Sequence, residues 1–177
     1  MIYELFKDKT PTTTTANLLS TAIFSNTLNF KSKITTERDI KAYNDLKQYT
    51  DLPDNWVDQY YNEVEAIAFN DIFSAIKNDT KILPNNIVIG QMELWEADKM
   101  LNKSDFLEIL NYAMKDYESW FMNMPSIKCG KTYFVAESQN IKNTLNKYLN
   151  VVWDGDVGVV DGLYLRKEII KSCGWDK

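Results

Sequence analysis

Two stretches of the chain carry apolar residues at helical spacing over several turns. In the first, apolar side chains recur every three or four residues from Asp54 to Ile76, and aspartate often begins a helix. The second stretch begins after Ser104 and ends before Pro125. The spacing predicts two long amphipathic helices that contribute to one core. The apolar face of the second helix would consist of Phe106, Leu110, Ala113, Met114, Tyr117, Phe121 and Met124.

Shorter apolar runs predict strands. Residues 87–89 form a β-branched run, and Gly90 separates them from an amphipathic segment over residues 92–101. Residues 132–135 have the pattern of another strand, and residues 138–149 again carry apolar side chains at helical intervals. Each of these strands is therefore followed by a predicted helix.

The last part of the chain changes character. It contains three short apolar runs, over residues 151–153, 157–160 and 163–165. The dipeptides Asp154-Gly155 and Asp161-Gly162 join these runs, and Asp-Gly is common in two-residue hairpin turns because their central residues take positive φ values. We therefore expect a compact antiparallel meander. A final helix over residues 166–172 should stop at Gly174.

Together these elements predict an α+β fold. The expected molecule is a single domain over residues 1–177, with two long core helices and a small antiparallel sheet that includes the C-terminal meander. A three-layer α/β sheet is the alternative, favoured by the two strands that each precede a helix. No repeat with a period of about 20 to 50 residues and no low-complexity linker divides the sequence.

The composition narrows the possible chemistry. The 177-residue chain has no histidine and a formal net charge of −5. The usual general base near neutral pH is therefore missing, as are the commonest transition-metal ligand and every Ser-His or Cys-His nucleophile pair. Net acidity also disfavours nucleic acid as a partner, because the phosphate backbone attracts basic surfaces.

The cellular setting follows from the cysteines and from the apolar runs. Cys129 and Cys173 are too few for a secreted disulfide scaffold, and without histidine they cannot complete a four-ligand zinc site in one chain. No uninterrupted apolar run reaches the roughly 18 to 20 residues that cross a bilayer, and residues 1–9 lack a signal-peptide pattern. We therefore expect a cytoplasmic protein with reduced thiols and no membrane partner.

Carboxylates are the remaining candidates for chemistry. Asp154, Asp156 and Asp161 lie close together among glycines, where their oxygens can converge on Mg²⁺, although turn formation also accounts for Asp154 and Asp161. Glu93 and Glu96 are three residues apart, which places two carboxylates one helical turn apart. These five residues are the candidate metal ligands.

The Glu93 and Glu96 spacing is similar to that of the paired acidic helices of metal-dependent nucleotide pyrophosphohydrolases. The next acidic pair, Asp105 and Glu108, has the reverse order of that family's second helix. The resemblance implies a Mg²⁺-dependent enzyme that acts on a phosphorylated small molecule or nucleotide. A solvated helix face is the competing interpretation of the same residues.

Aromatic residues are the candidates for a binding surface. The chain has five tryptophans and ten tyrosines, and aromatic side chains with a polar group are enriched where proteins meet. Trp95 and Trp120 lie beside the apolar stripes of their predicted helices, and Tyr61 and Tyr112 add to the same argument. We therefore name these four residues as candidate interaction residues.

The leading interpretation is a non-enzymatic protein-binding or regulatory protein that needs no cofactor. Its acidic, aromatic-rich surface would recognise a protein partner, and a phage or mobile-element inhibitor of a nucleic-acid-binding enzyme is one form of this hypothesis. Two alternatives stay open. One is the Mg²⁺-dependent enzyme acting through the carboxylates named above, and the other is a structural component of a virion.

Overall fold

The computed structural model describes Tyr3 and residues 8–176 of the chain. The chain divides into two compact units, Met1–Tyr60 and Tyr61–Lys177. The described residues form eight helices and six strands. The helices are α1 (Thr13–Thr27), α2 (Glu37–Lys47), α3 (Trp56–Asn70), α4 (Ile72–Asn78), α5 (Ala97–Leu101), α6 (Phe106–Met114), α7 (Gln139–Leu149) and α8 (Arg166–Cys173). The strands are β1 (Thr80–Ile82), β2 (Val88–Gln91), β3 (Trp120–Ser126), β4 (Lys131–Val135), β5 (Val152–Asp154) and β6 (Val157–Asp161).

The first unit contains α1 and α2, and local capping signals explain where both begin. The Thr12 hydroxyl accepts a hydrogen bond from the Thr15 backbone and caps α1. Thr36 and Asp39 form a reciprocal capping box at the start of α2, as expected for the sequence Thr-x-x-Asp. The two helices bury a small core of Ala16, Ile23, Ala42 and Leu46.

The second unit is built on one six-stranded mixed sheet with the order β1-β2-β3-β4-β6-β5. Strands β2 and β3 run parallel, with Val88 opposite Trp120 and Gln91 opposite Asn123. Every other neighbouring pair in the sheet is antiparallel. The α+β class is therefore confirmed, and the expectation of an antiparallel sheet is corrected to a mixed sheet. A single domain over residues 1–177 stays a prediction.

Helices cover both faces of this sheet. The first layer contains α4, α5 and α6 and packs on the face that carries Val88 and Met122. The second layer contains α7 and α8 and packs on the face that carries Ile89 and Phe121. The alternation of neighbouring residues between two buried clusters is the period-two signature of a strand buried on both sides.

The second long helix expected from the sequence is wrong in its C-terminal half. Helix α6 ends at Met114, and the last part of the predicted helix is instead β3, in which all seven residues are buried. Phe121 and Met124 have helical spacing, yet they face opposite layers of the sheet. The cause is tertiary, because pairing with β2 and β4 satisfies the backbone of this buried segment.

The first long helix is interrupted. Helix α3 ends at Asn70, and α4 begins at Ile72 after Asp71. The Asp71 carboxylate accepts a hydrogen bond from the Ser74 backbone at 3.0 Å, and this cap restarts the helix. The apolar periodicity therefore continues across the break between α3 and α4. In the sequence, the capping residue Asp71 is the signal for this break.

The expected C-terminal meander of three runs is corrected to a hairpin of two strands, β5 and β6. Asp154 pairs with Val157, so the two-residue loop between β5 and β6 consists of Gly155 and Asp156. Gly155 has a φ of 59°, which glycine adopts without steric cost. Residues 163–165 form no strand, because they lead directly into α8, which ends at Gly174 as expected.

No helix in the described part of the chain is long and apolar enough to cross a membrane. A cytoplasmic location stays a prediction.

Gly90 gives a test of the packing between the sheet and its first helical layer. A Cβ atom at this position would lie 2.6 Å from Met122 Sδ and 3.4 Å from Met114 Cε. We expect Gly90→Ala to lower the free energy of unfolding by about 1–3 kcal/mol through overpacking. Urea denaturation of Gly90→Ala, Met122→Ala and the double variant measures the effect. The double variant should lose less stability than the sum of the single variants, and additive losses would contradict the proposed clash.

Candidate functional site

The carboxyl end of β2 lies at Gln91, which is opposite Asn123 in the middle of its parallel neighbour β3. Ligands commonly bind outside the carboxyl ends of parallel strands where the sheet changes its connection pattern. Here β2 has an antiparallel neighbour on its other edge, and so does β3. Both side chains are buried polar groups, so their hydrogen bonds determine what surrounds this point of the sheet.

Gln91 ties the two strands to the first residue of α8. Its Oε1 atom accepts hydrogen bonds from Asn123 Nδ2 at 3.1 Å and from the Arg166 backbone N–H at 2.6 Å. Asn123 Nδ2 also donates to the Tyr164 carbonyl at 3.1 Å. These bonds hold the start of α8 against the carboxyl end of β2 and the middle of β3.

The Arg166 side chain extends from this fixed point to Asp79. Its Nη2 atom donates to Asp79 Oδ1 at 2.6 Å, and its Nη1 atom donates to the Asp79 carbonyl at 2.8 Å. Gln91 N–H donates to the same carbonyl at 3.0 Å. A guanidinium group has five N–H donors, so these bonds orient the fork while leaving other donors for a ligand.

Two lysines flank this arginine. Lys81 pairs with Ile89, which packs against the second helical layer, so the strand register places Lys81 on the face of the sheet that α8 covers. Lys167 directly follows Arg166 at the start of α8. Both lysines are exposed. Lys81 thus lies on the edge strand two residues after Asp79, and Arg166 and Lys167 are the first two residues of α8.

Glu93 completes the group that we call the Arg166 cluster, which consists of Asp79, Gln91, Glu93, Asn123 and Arg166. Gln91 Nε2 donates to Glu93 Oε1 at 3.0 Å. Loss of hydration at its carboxyl group, and secondarily the negative charge of Asp79, raises the pKa of Glu93, while Arg166 opposes the rise. The carboxyl is crowded even though the residue as a whole is exposed.

The raised pKa of Glu93 makes the stability of the fold depend on pH in a defined direction. A carboxyl group that binds its proton more tightly in the folded state contributes stability below its unfolded-state pKa. That contribution is lost as the pH rises through the folded-state pKa of Glu93. When Glu93 is ionised, the cluster contains two carboxylates and one guanidinium. Protonation of Glu93 relieves the repulsion between the two carboxyl groups.

The chemistry available to this arrangement is recognition of an oxyanion. Arginine binds phosphate through charge-assisted hydrogen bonds, and lysines add point charges that adapt to the ligand. The chain has no histidine to act as a general base. Glu93 is the carboxyl group of the cluster that is suited to carry a proton.

The sequence did not single out Asp79, Gln91, Asn123 or Arg166 as site residues. Asn123 is a polar residue within an apolar run, and Gln91 ends another such run. A polar residue inside a buried run is the available signal, because its amide must find hydrogen-bond partners. The sequence gives no indication that residues 79, 91 and 166 converge.

Three of the four candidate interaction residues lie in the interior. Tyr61 and Trp95 are buried and stack on each other, with ring centroids 4.8 Å apart and an angle of 2° between planes. Trp120 is buried in β3. Only Tyr112 among the four is exposed. The expected aromatic surface is corrected accordingly, because the rings of the other three serve the core.

The predicted acidic residues do not gather into one site. Asp156 pairs with Lys142 at 2.6 Å, and Asp161 lies 3.8 Å from Lys131 at the other end of β6. Asp154 is an exposed residue at the end of β5. These three positions are hairpin residues whose carboxylates do not converge.

Glu93 and Glu96 likewise do not share a helix face. Glu93 precedes the helical segment, and Glu96 is the N-cap position of α5. Glu96 binds Lys99 at 2.5 Å and Lys128 at 3.1 Å. Hydrogen bonds from these two lysines lower the pKa of Glu96, the opposite of the shift at Glu93.

A resident metal centre does not fit the described residues. Among Tyr3 and residues 8–176, no group of three or more histidine, cysteine, aspartate or glutamate side chains is placed to hold a metal ion. Mg²⁺ prefers several oxygen ligands in octahedral geometry, and Zn²⁺ prefers sulfur and imidazole ligands. We therefore assign no metal to this part of the chain.

Comparison with solved structures gives the fold a counterpart. A protein of Methanococcus jannaschii described as a "putative family II inorganic pyrophosphatase" matches 94% of this chain, with a TM-score of 0.71 and 20% sequence identity. The chain spans 58% of the length of that protein. An exopolyphosphatase-related protein of Bacteroides fragilis matches 91% of this chain over 48% of its own length. Its TM-score is 0.40 and its sequence identity is 12%, which is too weak a similarity to support a conclusion. The sequence matches no family model and no curated protein.

The first of these likenesses corrects the functional interpretation. At 20% identity it shows the fold, and that fold is shared with a protein described as a "putative family II inorganic pyrophosphatase". This finding contradicts the prediction of a non-enzymatic binding or regulatory protein. The alternative of an enzyme acting on a phosphorylated substrate is the better supported one.

Gln91 provides a test of the hydrogen-bond network. In Gln91→Met, the Arg166 N–H loses its acceptor and Asn123 Nδ2 loses one of its two acceptors. We expect the free energy of unfolding to fall by about 1–3 kcal/mol, measured by urea denaturation. Gln139→Met is the matched control because Gln139 is exposed on α7, and it should change stability by less than about 0.5 kcal/mol. Equal losses in the two variants would argue against the network.

The two cysteines should differ in reactivity. Cys129 is exposed, whereas Cys173 is buried and its pKa is raised by burial from 9.0 to about 11. Because the thiolate is the reactive form, burial lowers the thiolate fraction of Cys173 about 100-fold near pH 8. An aromatic disulfide reagent should label one thiol of the native protein rapidly and the second only after unfolding. Cys129→Ser should abolish the rapid phase, and its persistence would refute this assignment.

Proposed function

We propose that this chain binds the phosphate groups of a phosphoanhydride, such as inorganic pyrophosphate, at the Arg166 cluster and takes part in its hydrolysis. The observation that carries the proposal is the oriented Arg166 fork beside Gln91, the last residue of the parallel strand β2, in a fold shared with a protein described as a "putative family II inorganic pyrophosphatase". Lys81, two residues after Asp79, and Lys167, next in sequence to Arg166, are exposed cations and further candidate phosphate contacts. In this proposal the Arg166 cluster binds the substrate.

The orientation of Arg166 favours a phosphoryl group over a simple carboxylate. Its backbone N–H and two of its side-chain atoms are already held by Gln91 and Asp79, so little side-chain entropy remains to be lost on binding. A phosphoryl group offers three oxygens, enough to engage the fork and the lysine ammonium groups together.

Hydrolysis of phosphoanhydrides in proteins commonly uses Mg²⁺ or Mn²⁺ to stabilise the charge that develops on the phosphoryl oxygens. Among the described residues no group of three or more cysteine, aspartate or glutamate side chains is placed to hold such an ion, so this proposal assigns no step to a metal bound by these residues. What this chain supplies is binding and orientation of the anion. The group that carries a proton in this scheme is Glu93, whose carboxyl accepts a hydrogen bond from Gln91 Nε2.

Substitution of Arg166 tests the proposed binding. Arg166→Met should weaken pyrophosphate binding by about 10- to 100-fold, because hydrogen bonds to a charged group contribute about 1.5–3 kcal/mol. Arg166→Lys should recover part of the affinity, because it keeps the charge but loses the fork. Isothermal titration calorimetry measures binding, and phosphate release in the presence of Mg²⁺ or Mn²⁺ measures turnover.

The matched control is Arg38→Met, since Arg38 is the other arginine of the chain and lies on α2. It should bind pyrophosphate like the wild type, and thermal unfolding should show that both variants are folded. Equal binding by folded Arg166→Met and wild type would remove Arg166 from the site. Binding without phosphate release under any metal would overturn the hydrolytic part of the proposal.

A further inference from the structure

The Arg166 cluster contains two carboxyl groups, those of Asp79 and Glu93, and the salt bridge to Arg166 uses that of Asp79. Asp79 binds Nη2 of Arg166, and Glu93 acts electrostatically on the same pair without a direct ion pair. Glu93 Oε1 is held by Gln91 Nε2 at 3.0 Å. Because Gln91 Oε1 already accepts from Arg166 and Asn123, the amide cannot turn to release Glu93 without losing both of those bonds.

An anion that approaches Arg166 therefore meets a fixed negative charge. The charged groups that act on Glu93 are Asp79, just before β1, and Arg166, at the start of α8. Lys81 and Lys167 lie on the same side of the sheet but are exposed, so water screens them more strongly. A bound dianion beside an ionised Glu93 would place three negative groups around one guanidinium. Protonation of Glu93 removes the repulsion and converts one carboxyl oxygen into a donor.

We propose that Glu93 takes up one proton from solvent when an oxyanion binds at the Arg166 cluster, and that the resulting carboxyl O–H donates a hydrogen bond to an oxygen of the anion. This inference rests on the proposed function, because it concerns the same site. It makes Glu93 a proton-carrying substrate contact and makes anion affinity depend on pH. The crowded setting that raises the pKa of the free carboxyl favours the same protonated form.

Sulfate is the appropriate probe, because its charge does not change between pH 5 and pH 8 whereas pyrophosphate itself takes up protons in that range. Histidine is the side chain that ordinarily titrates there, and the chain has none. Sulfate affinity of the wild type should therefore fall about tenfold for each pH unit above the folded-state pKa of Glu93. Calorimetry in two buffers of different ionisation enthalpy should report the uptake of about one proton in that range.

Glu93→Gln imitates the protonated carboxyl and should bind sulfate with the affinity that the wild type has at low pH. Its affinity should not depend on pH, and it should take up no proton. Glu96→Gln is the matched control, because Glu96 lies three residues away with a lowered pKa and ion pairs to Lys99 and Lys128. It should keep the pH dependence of the wild type.

The outcomes separate this inference from the proposed function. If wild type and Glu93→Gln bind sulfate with the same pH dependence, Glu93 is not the linked group and the inference fails while the site stands. If folded wild type binds pyrophosphate but no sulfate at pH 5, the inference also fails alone. If neither anion binds at any pH, the proposed function fails together with the inference.

Discussion

Strand β3 is buried on both faces along all seven of its residues, so the chain must supply a neighbouring strand on each edge and a helical layer on each face. The parallel pairing with β2 then requires a crossover, which carries α5 and α6 over the first face. Burial also demands partners for Asn123 at the middle of β3, and these are Gln91 and the Tyr164 carbonyl. The hydrogen bonds of Asn123 Nδ2 and of Gln91 therefore help to hold the start of α8, and with it Arg166, whereas Asn123 Oδ1 has no hydrogen-bond partner among the described residues.

The elements that sequence reasoning located best depend on local interactions. The glycine that ends α8 at Gly174 and the hairpin glycine at Gly155 each act within a few residues. Strand β3 was mistaken for a helix because Phe121 and Met124 happen to have helical spacing. What distinguishes the two structures is pairing with strands that are distant in sequence, which no local window contains.

The candidate site was harder to predict than the fold for the same reason. Asp79, Gln91 and Arg166 are brought together by sheet register and by the docking of α8, not by any motif. The large number of aromatic residues led to a different error, because it suggested an exposed surface for side chains that are buried. Tyr61 and Trp95 stack inside the second unit, so their abundance reports core packing and not a recognition surface.

The net charge of −5 disfavours nucleic acid as a partner, yet it does not bear on the binding of a small anion at one site. At physiological ionic strength exposed charges are largely screened beyond about 8 Å, so distant carboxylates contribute little at Arg166. The affinity for an anion depends on the groups that contact Arg166 directly. Asp79 is one of these groups, and it has two opposing effects. It partly neutralises the guanidinium, but it also holds the fork in one orientation through 2.6 Å and 2.8 Å hydrogen bonds. A ligand that binds the remaining donors need not displace Asp79, so orientation is retained while the second carboxylate, Glu93, governs how much negative charge the cluster accepts.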